Sequence, residues 1–346
     1  MLSLNEESFK ATFEDWRGGI WLGERKTVFG KIESDARNKT RIHGLAELVE
    51  AGGMLPFIGA GLSIPSGFKR WGEFLHQLRL DCDPAVTENE LNNVMWNQGY
   101  EEAAELVISK IAPLLFDERF EAYCRALSLE DVVGCVRFLP LLFNGHGATT
   151  NFDNVLELVY GGYHSAFGVT LKGKEIEKWS TAAMHHKTML LKVHGHATEP
   201  ATRVLTKAEY DAAYAPGCAQ RAAFEQIVRS TAFLFLGCSL GQDRTLDVFH
   251  DVYSSATAPN HRNYAILPRP AEPAMMAPRE NFLAARGVFP IWYGEHGDKT
   301  NPDSPSHPDF DHDLHVETIL VEILDRQGRI GELTVTPEEP YRIEKK

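Results

Sequence analysis

Short apolar segments alternate with helical segments along most of this chain, and small or polar residues follow most of the apolar segments. Six of them have the length and composition of buried strands, at residues 54–58, 147–150, 189–193, 233–237, 264–267 and 288–292. Strands that are apolar throughout are typical of parallel sheets covered by helices on both faces. The alternation therefore predicts an α/β fold with a Rossmann-like, mostly parallel sheet.

The 346 residues are enough for about two domains, or for one large α/β domain with additions. We expect a helical extension at residues 1–48, a central domain at 49–326 and a polar tail at 327–346. Apolar residues at helical spacing between about residues 71 and 142 predict a helical subdomain inserted into the central domain.

Charge and cysteine content exclude several classes of protein. The chain has 35 Lys and Arg against 48 Asp and Glu, a net charge of −13, which disfavours binding to nucleic acid through its phosphates. None of the five cysteines forms a Cys-x-x-Cys pair, so neither a disulfide framework nor a zinc ribbon is expected. No metal site is expected either, because the histidines at 185, 186, 194 and 196 have no Asp, Glu or Cys beside them at ligand spacing.

The polar, acidic N-terminal segment does not resemble a signal peptide, and the apolar stretches are too short to span a bilayer. We therefore expect a soluble, cytoplasmic protein without a membrane partner.

A glycine-rich turn follows the first predicted strand, with the sequence Gly59-Ala60-Gly61-Leu62-Ser63. Glycines at such a turn let the backbone approach a ligand closely, and the next helix offers N–H groups to a phosphate. The dinucleotide fingerprint G-x-G-x-x-G is not met, because Ile64 occupies the position of the third glycine. A phosphate-binding loop and a plain tight turn are equally good interpretations of this motif alone.

Polar residues also follow the second and third strands. Asn151 and Asp153 could reach a ribose and a carboxamide at the carboxyl end of a strand, or one of them could cap the next helix. His194 could act as a general base near neutral pH, or it could be structural. After the fourth strand, Gly237 and Ser239 form another small-residue turn that could hold a ribose or phosphate.

In this order, the four motifs resemble the signatures of the sirtuin superfamily, over roughly residues 49–270 and the strand at 288–292. Protein-deacylating sirtuins carry a zinc ribbon built on two Cys-x-x-Cys pairs and a Pro-Asp-Phe-Arg element after the first loop. This chain has neither. The variant without them resembles the sirtuin-like domains of bacterial anti-phage defence, which hydrolyse NAD.

The resemblance implies that NAD is the substrate and that residues 49–326 form the NAD-binding catalytic domain. Asn151 would orient the ribose or the attacking water, Asp153 would hold the nicotinamide amide, and His194 would act as general base. The other residues expected to bind NAD have small or hydroxyl side chains: Gly59, Ala60, Gly61, Ser63, Thr150, Gly237 and Ser239.

The resemblance implies an NAD glycohydrolase (an NAD nucleosidase) that releases nicotinamide and ADP-ribose as the effector of an abortive-infection system. Two alternatives stay open. One is an NAD-dependent protein deacylase, which the missing zinc ribbon disfavours. The other is a non-catalytic module that binds NAD or ADP-ribose, which the matched Asn151 and His194 disfavour.

An uncontrolled NADase would kill its host, so we expect an off state. The chain has no P-loop motif G-x-x-x-x-G-K-[ST] and no repeat array. We therefore expect activation by homo-oligomerisation or by a separate sensor chain. In related defence systems such partners include HerA-type ATPases and short Argonautes. Residues 1–48 and the tail are the expected assembly surfaces.

Overall fold

The computed structural model describes residues 17–143, 145–163, 165–241 and 244–330. Residues 1–16 of the predicted extension and residues 331–346 of the predicted tail lie outside the described residues. The strands are β1 (Met54–Ile58), β2 (Gly147–Thr149), β3 (Val169–Lys172), β4 (Met189–Lys192), β5 (Ala232–Leu236), β6 (Asn263–Pro268) and β7 (Val288–Tyr293). They form one sheet of seven strands in the order β3-β4-β2-β1-β5-β6-β7, and every neighbouring pair is parallel. The predicted Rossmann-like parallel sheet is confirmed.

Strand β3 is the one that the sequence pattern misses. Its sequence is Val-Thr-Leu-Lys, and only Leu171 among its residues is buried. It lies at the edge of the sheet and pairs with β4 alone. An edge strand that is covered so little does not need the apolar composition by which the other strands are recognised.

The central strands are apolar on both sides because both faces of the sheet are covered. In β1, Met54 and Ile58 belong to the hydrophobic cluster on one face, and Leu55 and Phe57 belong to the cluster on the other. The same alternation runs through β5. Since successive side chains of a strand point to opposite faces, burial of both faces requires a continuous apolar run.

The helices connect the strands and cover the two faces. In chain order they are α1 (Leu22–Glu33), α2 (Ala36–Glu50), α3 (Trp71–Leu78), α4 (Glu88–Asn97), α5 (Tyr100–Ile108), α6 (Pro113–Tyr123), α7 (Leu139–Leu142), α8 (Val155–Gly162), α9 (Trp179–His185), α10 (Lys207–Ala213), α11 (Ala219–Ser230), α12 (Arg244–Tyr253), α13 (Met276–Ala284) and α14 (His312–Arg326). Helices α1, α2, α7, α8 and α14 pack on one face, and α9 to α13 pack on the other. Among the described helices, none is both long and apolar enough to cross a membrane.

Helices α3 to α6 lie between β1 and β2 in the chain and have a hydrophobic cluster of their own. This cluster also takes in Ala197 and Leu205 from the loop after β4. The segment that follows α6 is different, because Val136 and Phe138 pack into the cluster on the α1–α2 face of the sheet. The four helices therefore stand on the carboxyl side of the sheet, against the loop that follows β4.

A buried ion pair joins the first and last described helices. Arg25 of α1 donates from Nε to Oε1 of Glu317 in α14 at 2.6 Å, and its guanidinium lies 4.0 Å above the ring of Trp21. The Glu317 side chain is fully buried. Burial raises the pKa of Glu317 to about 7, although the charge of Arg25 opposes the increase.

This carboxyl group gives the fold a pH dependence. The pKa of Glu317 is higher in the folded chain than in the unfolded chain, so its contribution to stability is complete below about pH 4.5 and is lost as the pH rises towards 7. Each pKa unit corresponds to about 1.4 kcal/mol of unfolding free energy. Between pH 4.5 and 8 the Glu317→Gln variant should therefore lose less stability than the wild type. Thermal unfolding of both proteins across this pH range is the measurement. Parallel curves for the two proteins would contradict this account.

Candidate functional site

Each of the four sequence motifs follows a strand, and the residues at the ends of these four strands are paired with one another in one row across the sheet. Lys192 of β4 pairs with Thr149 of β2, Thr149 pairs with Ile58 of β1, and Ile58 pairs with Leu236 of β5. Each motif starts within two residues of its member of this row. Since the strands are parallel, the motifs emerge side by side at the carboxyl edge of the sheet, where ligands bind in open α/β folds.

The two glycine turns of the motifs pack directly against each other. Gly61 donates its N–H to the carbonyl of Gly237 at 2.9 Å. A Cβ atom on Gly59 would lie 2.6 Å from the Gly237 oxygen, and one on Gly61 would lie 2.8 Å from the Gly237 Cα. Gly237 itself has a φ of +65°. All three glycines are therefore required by the contact between the turns, and their expected role in binding NAD stays a prediction.

The Ala60 amide is the part of the first turn that is open to a ligand. Ala60 is exposed at the start of a short 3-10 helix, Ala60–Leu62, and its N–H donates to no acceptor in the described residues. The amides of Gly59, Gly61 and Ser63 instead donate within the two turns.

Ser63 joins Asn151 and Asp153 into one hydrogen-bonded group. Its hydroxyl donates to Oδ2 of Asp153 at 2.8 Å and accepts from Nδ2 of Asn151 at 3.1 Å. The exposed fractions of Ser63, Asn151 and Asp153 are 2%, 9% and 9%. The sequence prediction placed Ser63 with the NAD-binding residues, and its described partners are Asn151 and Asp153, two of the three predicted catalytic residues.

The backbone holds this group in place. The hydroxyl of Thr149 donates to the carbonyl of Ile58 at 2.8 Å and accepts from the N–H of Asn151 at 2.9 Å. Asp153 accepts from the N–H of Val155, the first residue of α8, through Oδ1 at 3.1 Å. Asp153 thus makes the contact at the helix start that the sequence left open as an alternative, and it contacts Ser63 through its other oxygen.

Burial raises the pKa of Asp153, and the nearby charge of Lys192 is the largest of the influences that lower it. Lys192 has no exposed surface. Its ammonium donates to the main-chain carbonyl of Asp153 and pairs with Oε1 of Glu157 at 3.0 Å.

His194 lies at the next strand end, between two tyrosines. Its Nε2 is 3.1 Å from the hydroxyl of Tyr214, and its Nδ1 is 3.2 Å from the hydroxyl of Tyr210. The Tyr214 hydroxyl is also 3.2 Å from Oγ1 of Thr245. Within the described residues, His194 is hydrogen bonded to the two tyrosines, whereas the side chains of Asn151 and Asp153 are hydrogen bonded to Ser63 and, for Asp153, to the N–H of Val155.

Sequence reasoning missed the two tyrosines, although a signal for them exists. Thr206 and Glu209 form a capping box at the start of α10. Residues four apart on a helix lie on one face, so Tyr210 of α10 and Tyr214, directly after α10, project from the same side of the segment that follows His194 and Gly195. The sequence patterns also gave no role to Lys192, which lies two residues before His194.

The remaining predicted residues lie at the margin of the site. Thr150 is half-buried, and its N–H donates to the carbonyl of Ile58 at 3.3 Å. Ser239 is exposed, and its carbonyl accepts from Arg279 at 2.7 Å. Gly195, next to His194, has a φ of +94°, and a Cβ there would lie 2.2 Å from the Thr202 oxygen.

The four-helix insert, α3 to α6, covers one side of the site. Phe152, between the two predicted catalytic residues, packs edge-on against Phe120 at 5.0 Å and lies 6.5 Å from the ring of Trp71. Arg203 lies 4.7 Å over the Phe120 ring and is hydrogen bonded to Asp117 and to the Ala197 carbonyl. This side of the site is therefore filled by packed aromatic rings.

Within the described part of the chain, no group of three or more His, Cys, Asp or Glu side chains is placed to hold a metal ion.

Comparison with known proteins bears on the same residues. Residues 146–291 match the family model described as a SIR2-like domain. The match runs from just before β2 into β7, so it includes Asn151, Asp153 and His194, whereas the Gly59 turn precedes it. No curated protein matches the chain. SIR2-like domains are typical of NAD-utilising enzymes, and the match therefore indicates an NAD-related activity. On the geometry of its sheet and on this match, residues 146–291 of the chain are similar to a Sir2-type domain.

Proposed function

We propose that this protein is an NAD glycohydrolase, which cleaves NAD with water to nicotinamide and ADP-ribose. The observation that carries the proposal is the buried group of Ser63, Asn151 and Asp153 at the carboxyl edge of the sheet. This group follows β1 and β2, next to the point between β1 and β5 where the chain crosses from one half of the sheet to the other. Nucleotides bind at such crossing points in doubly wound folds.

The chemistry of the cleavage fits these side chains. The bond between the ribose C1′ and the nicotinamide nitrogen breaks, and nicotinamide leaves with the bonding electron pair. The ribose then passes through a cationic, oxocarbenium-like state, which the carboxylate of Asp153 would stabilise in its ionised form in a site shielded from water. Water adds its oxygen to C1′, and its proton passes to a general base, for which His194 is the candidate.

The packing of the insert supports water as the acceptor. The aromatic rings of Phe120, Phe152 and Trp71 fill the space beside the predicted catalytic residues. We propose that no acyl-lysine peptide enters from that side. A protein deacylase would instead release nicotinamide faster when an acyl-lysine peptide is added, and would form an O-acyl product.

The contacts of His194 support a regulated enzyme. Both ring nitrogens lie within hydrogen-bonding distance of tyrosine hydroxyls, so a ring nitrogen must exchange a tyrosine for water or a ribose hydroxyl before His194 accepts a proton. We propose that Tyr210 is the contact that is released, because it is half-buried on α10, whereas Tyr214 is buried. The arrangement described here is then the resting state.

We propose further that the enzyme serves as the cytoplasmic effector of an anti-phage defence system and is switched on by self-assembly or by a separate sensor chain. An ATPase of the HerA type and a short Argonaute are the partner classes we would test. The net charge of −13 favours a sensor chain as the component that reads nucleic acid.

The first prediction concerns the catalytic pair. Asn151→Ala and His194→Ala should each lower the rate of NAD cleavage by about 10²-fold or more, which is the range for a lost general base or positioning group. The measurement is nicotinamide release in an activated sample. Asn97→Ala and His43→Ala are matched controls, since both side chains are exposed on helices, and both should retain the wild-type rate. Unchanged NAD cleavage in the two site variants would refute the assignment, and tight NAD binding without any turnover would favour the non-catalytic alternative.

The second prediction concerns the tyrosine contact. Tyr210→Phe removes the hydroxyl from Nδ1 of His194 and should raise NAD cleavage several-fold in the absence of any partner. Tyr160→Phe is the control, because the Tyr160 hydroxyl is buried without a hydrogen-bond partner in the described residues. A loss of activity in Tyr210→Phe as large as that in His194→Ala would show that the tyrosine assists the histidine instead of restraining it.

The third prediction concerns assembly. The rate of NAD cleavage per chain should rise with protein concentration or on addition of the sensor chain. The assay is a 100-fold dilution series, with the oligomeric state measured by light scattering on the same samples. Full activity from a dilute monomer would contradict the proposed regulation.

A further inference from the structure

A lysine lies completely buried beneath the candidate site. Lys192 is the last residue of β4 and belongs to the paired row at the carboxyl edge of the sheet. Its ammonium has two described partners, the main-chain carbonyl of Asp153 and Oε1 of Glu157. Burying an ammonium costs free energy unless it is paired and hydrogen bonded. A lysine at this position is therefore harder to accommodate than an apolar core residue would be.

Several titratable groups near Lys192 and Asp153 are neutral, and the cations Lys172 and Arg203 have acidic partners of their own. Burial raises the pKa of the Cys124 thiol and of the Tyr123 hydroxyl, so both are neutral near pH 7. Burial also lowers the pKa of His196, which is therefore neutral as well. The Arg203 guanidinium is hydrogen bonded to Asp117 on α6.

The carboxylate of Glu157 pairs with this ammonium, and the carboxylate of Asp153 is influenced by its charge without a direct contact in the described residues. Glu157 pairs with Lys192 through Oε1, while its Oε2 is buried without a partner in the described residues. Asp153 is held by its main chain, and its carboxylate is fixed by Ser63 and the N–H of Val155. Burial raises the pKa of Asp153 and the charge of Lys192 lowers it, so loss of the ammonium favours the protonated acid.

We propose that Lys192 is a positioning residue for the NAD-cleaving site, where its buried ammonium fixes the main chain of Asp153 and favours a negative charge on the Asp153 carboxylate. The inference rests on the proposed function for its effect on catalysis, but the coupling between Lys192 and Asp153 is a property of the folded chain alone. Lys192 touches no reacting atom in this account. It acts through Asp153.

The neighbouring strand supplies a matched control. Lys172 of β3 pairs with Lys192 across the sheet, and it also forms an ion pair, with Glu199. Its side chain is partly exposed, and it contacts neither Asp153 nor Glu157 in the described residues. Lys172→Met therefore removes the same charge from the next position of the same row.

The first experiment measures the pH profile of NAD cleavage. Lys192→Met should lower kcat by at least about tenfold at pH 7 and move the acidic limb of the kcat profile to higher pH by about one unit, which corresponds to about 1.4 kcal/mol. KM should change less than kcat, because the stabilised charge forms in the transition state. Lys192→Arg keeps the charge and should retain the wild-type limb, and Lys172→Met should leave the profile unchanged. An acidic limb in Lys192→Met that coincides with the wild-type limb would overturn the proposal.

The second experiment needs no activity and separates this proposal from the proposed function. The pKa of Asp153 is higher in the folded than in the unfolded chain, so stability is lost as the pH rises through its folded value. Without Lys192 that loss should be larger and extend to higher pH. Thermal unfolding at pH 7 should therefore show that Asp153→Asn raises the Tm of the Lys192→Met chain by more than it raises the Tm of the wild type.

The outcomes are distinct. If Lys192→Met does not fold, recovery of folded protein in the Lys192→Met, Asp153→Asn double variant supports the coupling. Additive Tm shifts, or an equal coupling of Asp153 to Lys172, overturn the proposal. A further outcome separates the two proposals. If the Tm shifts show coupling between Lys192 and Asp153 but the wild-type protein cleaves no NAD under any activating condition, the proposed function is rejected. The electrostatic coupling between Lys192 and Asp153 is then retained.

Discussion

Four strands that end in register place every candidate residue of this site. Lys192, Thr149, Ile58 and Leu236 form one paired row across β4, β2, β1 and β5. Parallel pairing fixes both the spacing of neighbouring strands and the direction in which each chain leaves the sheet. A slip of one residue in any of these strands would reverse which face its side chains occupy. The two-sided apolar core prevents such a slip, and the chemistry at the strand ends therefore depends on the packing below it.

The two glycine turns pack against each other at the ends of the paired strands and form the base of the site. The turns at Gly59 and Gly237 approach so closely that neither tolerates a Cβ atom. Their contact determines where Ser63 lies, and Ser63 in turn determines the orientation of Asn151 and Asp153. The motif that is readable as a phosphate loop thus also has a structural function, which is to bring residues from two strand ends into one hydrogen-bonded group.

The sequence predicts the layers of the fold well and the neighbours of each side chain poorly. Continuous apolar runs reveal the buried strands, because burial on both faces leaves no choice of composition, whereas the edge strand Val169–Lys172 has no such constraint. Small and polar residues after each strand predict which residues gather at the carboxyl edge. The contacts of His194 with Tyr210 and Tyr214 depend on how α10 packs after a loop, and no periodicity of the sequence encodes that distance. The strand order also cannot be read from the chain, since β4 inserts between β2 and β3.

The proposed cleavage of NAD would place two opposing requirements on this site. Stabilisation of a cationic sugar needs a carboxylate that is both ionised and shielded from water, but shielding a carboxylate favours its protonated form. Exposed counter-ions would be screened by solvent, and an ammonium on the ligand side would repel the cationic nicotinamide ring and the ribosyl cation. In the proposed site a lysine that contacts the main-chain carbonyl of Asp153 avoids both difficulties, because it would supply charge from within the protein and not from the side of the ligand. Under the proposed function, the full burial of Lys192 would allow a positive charge to support a site that must itself attract positive charge.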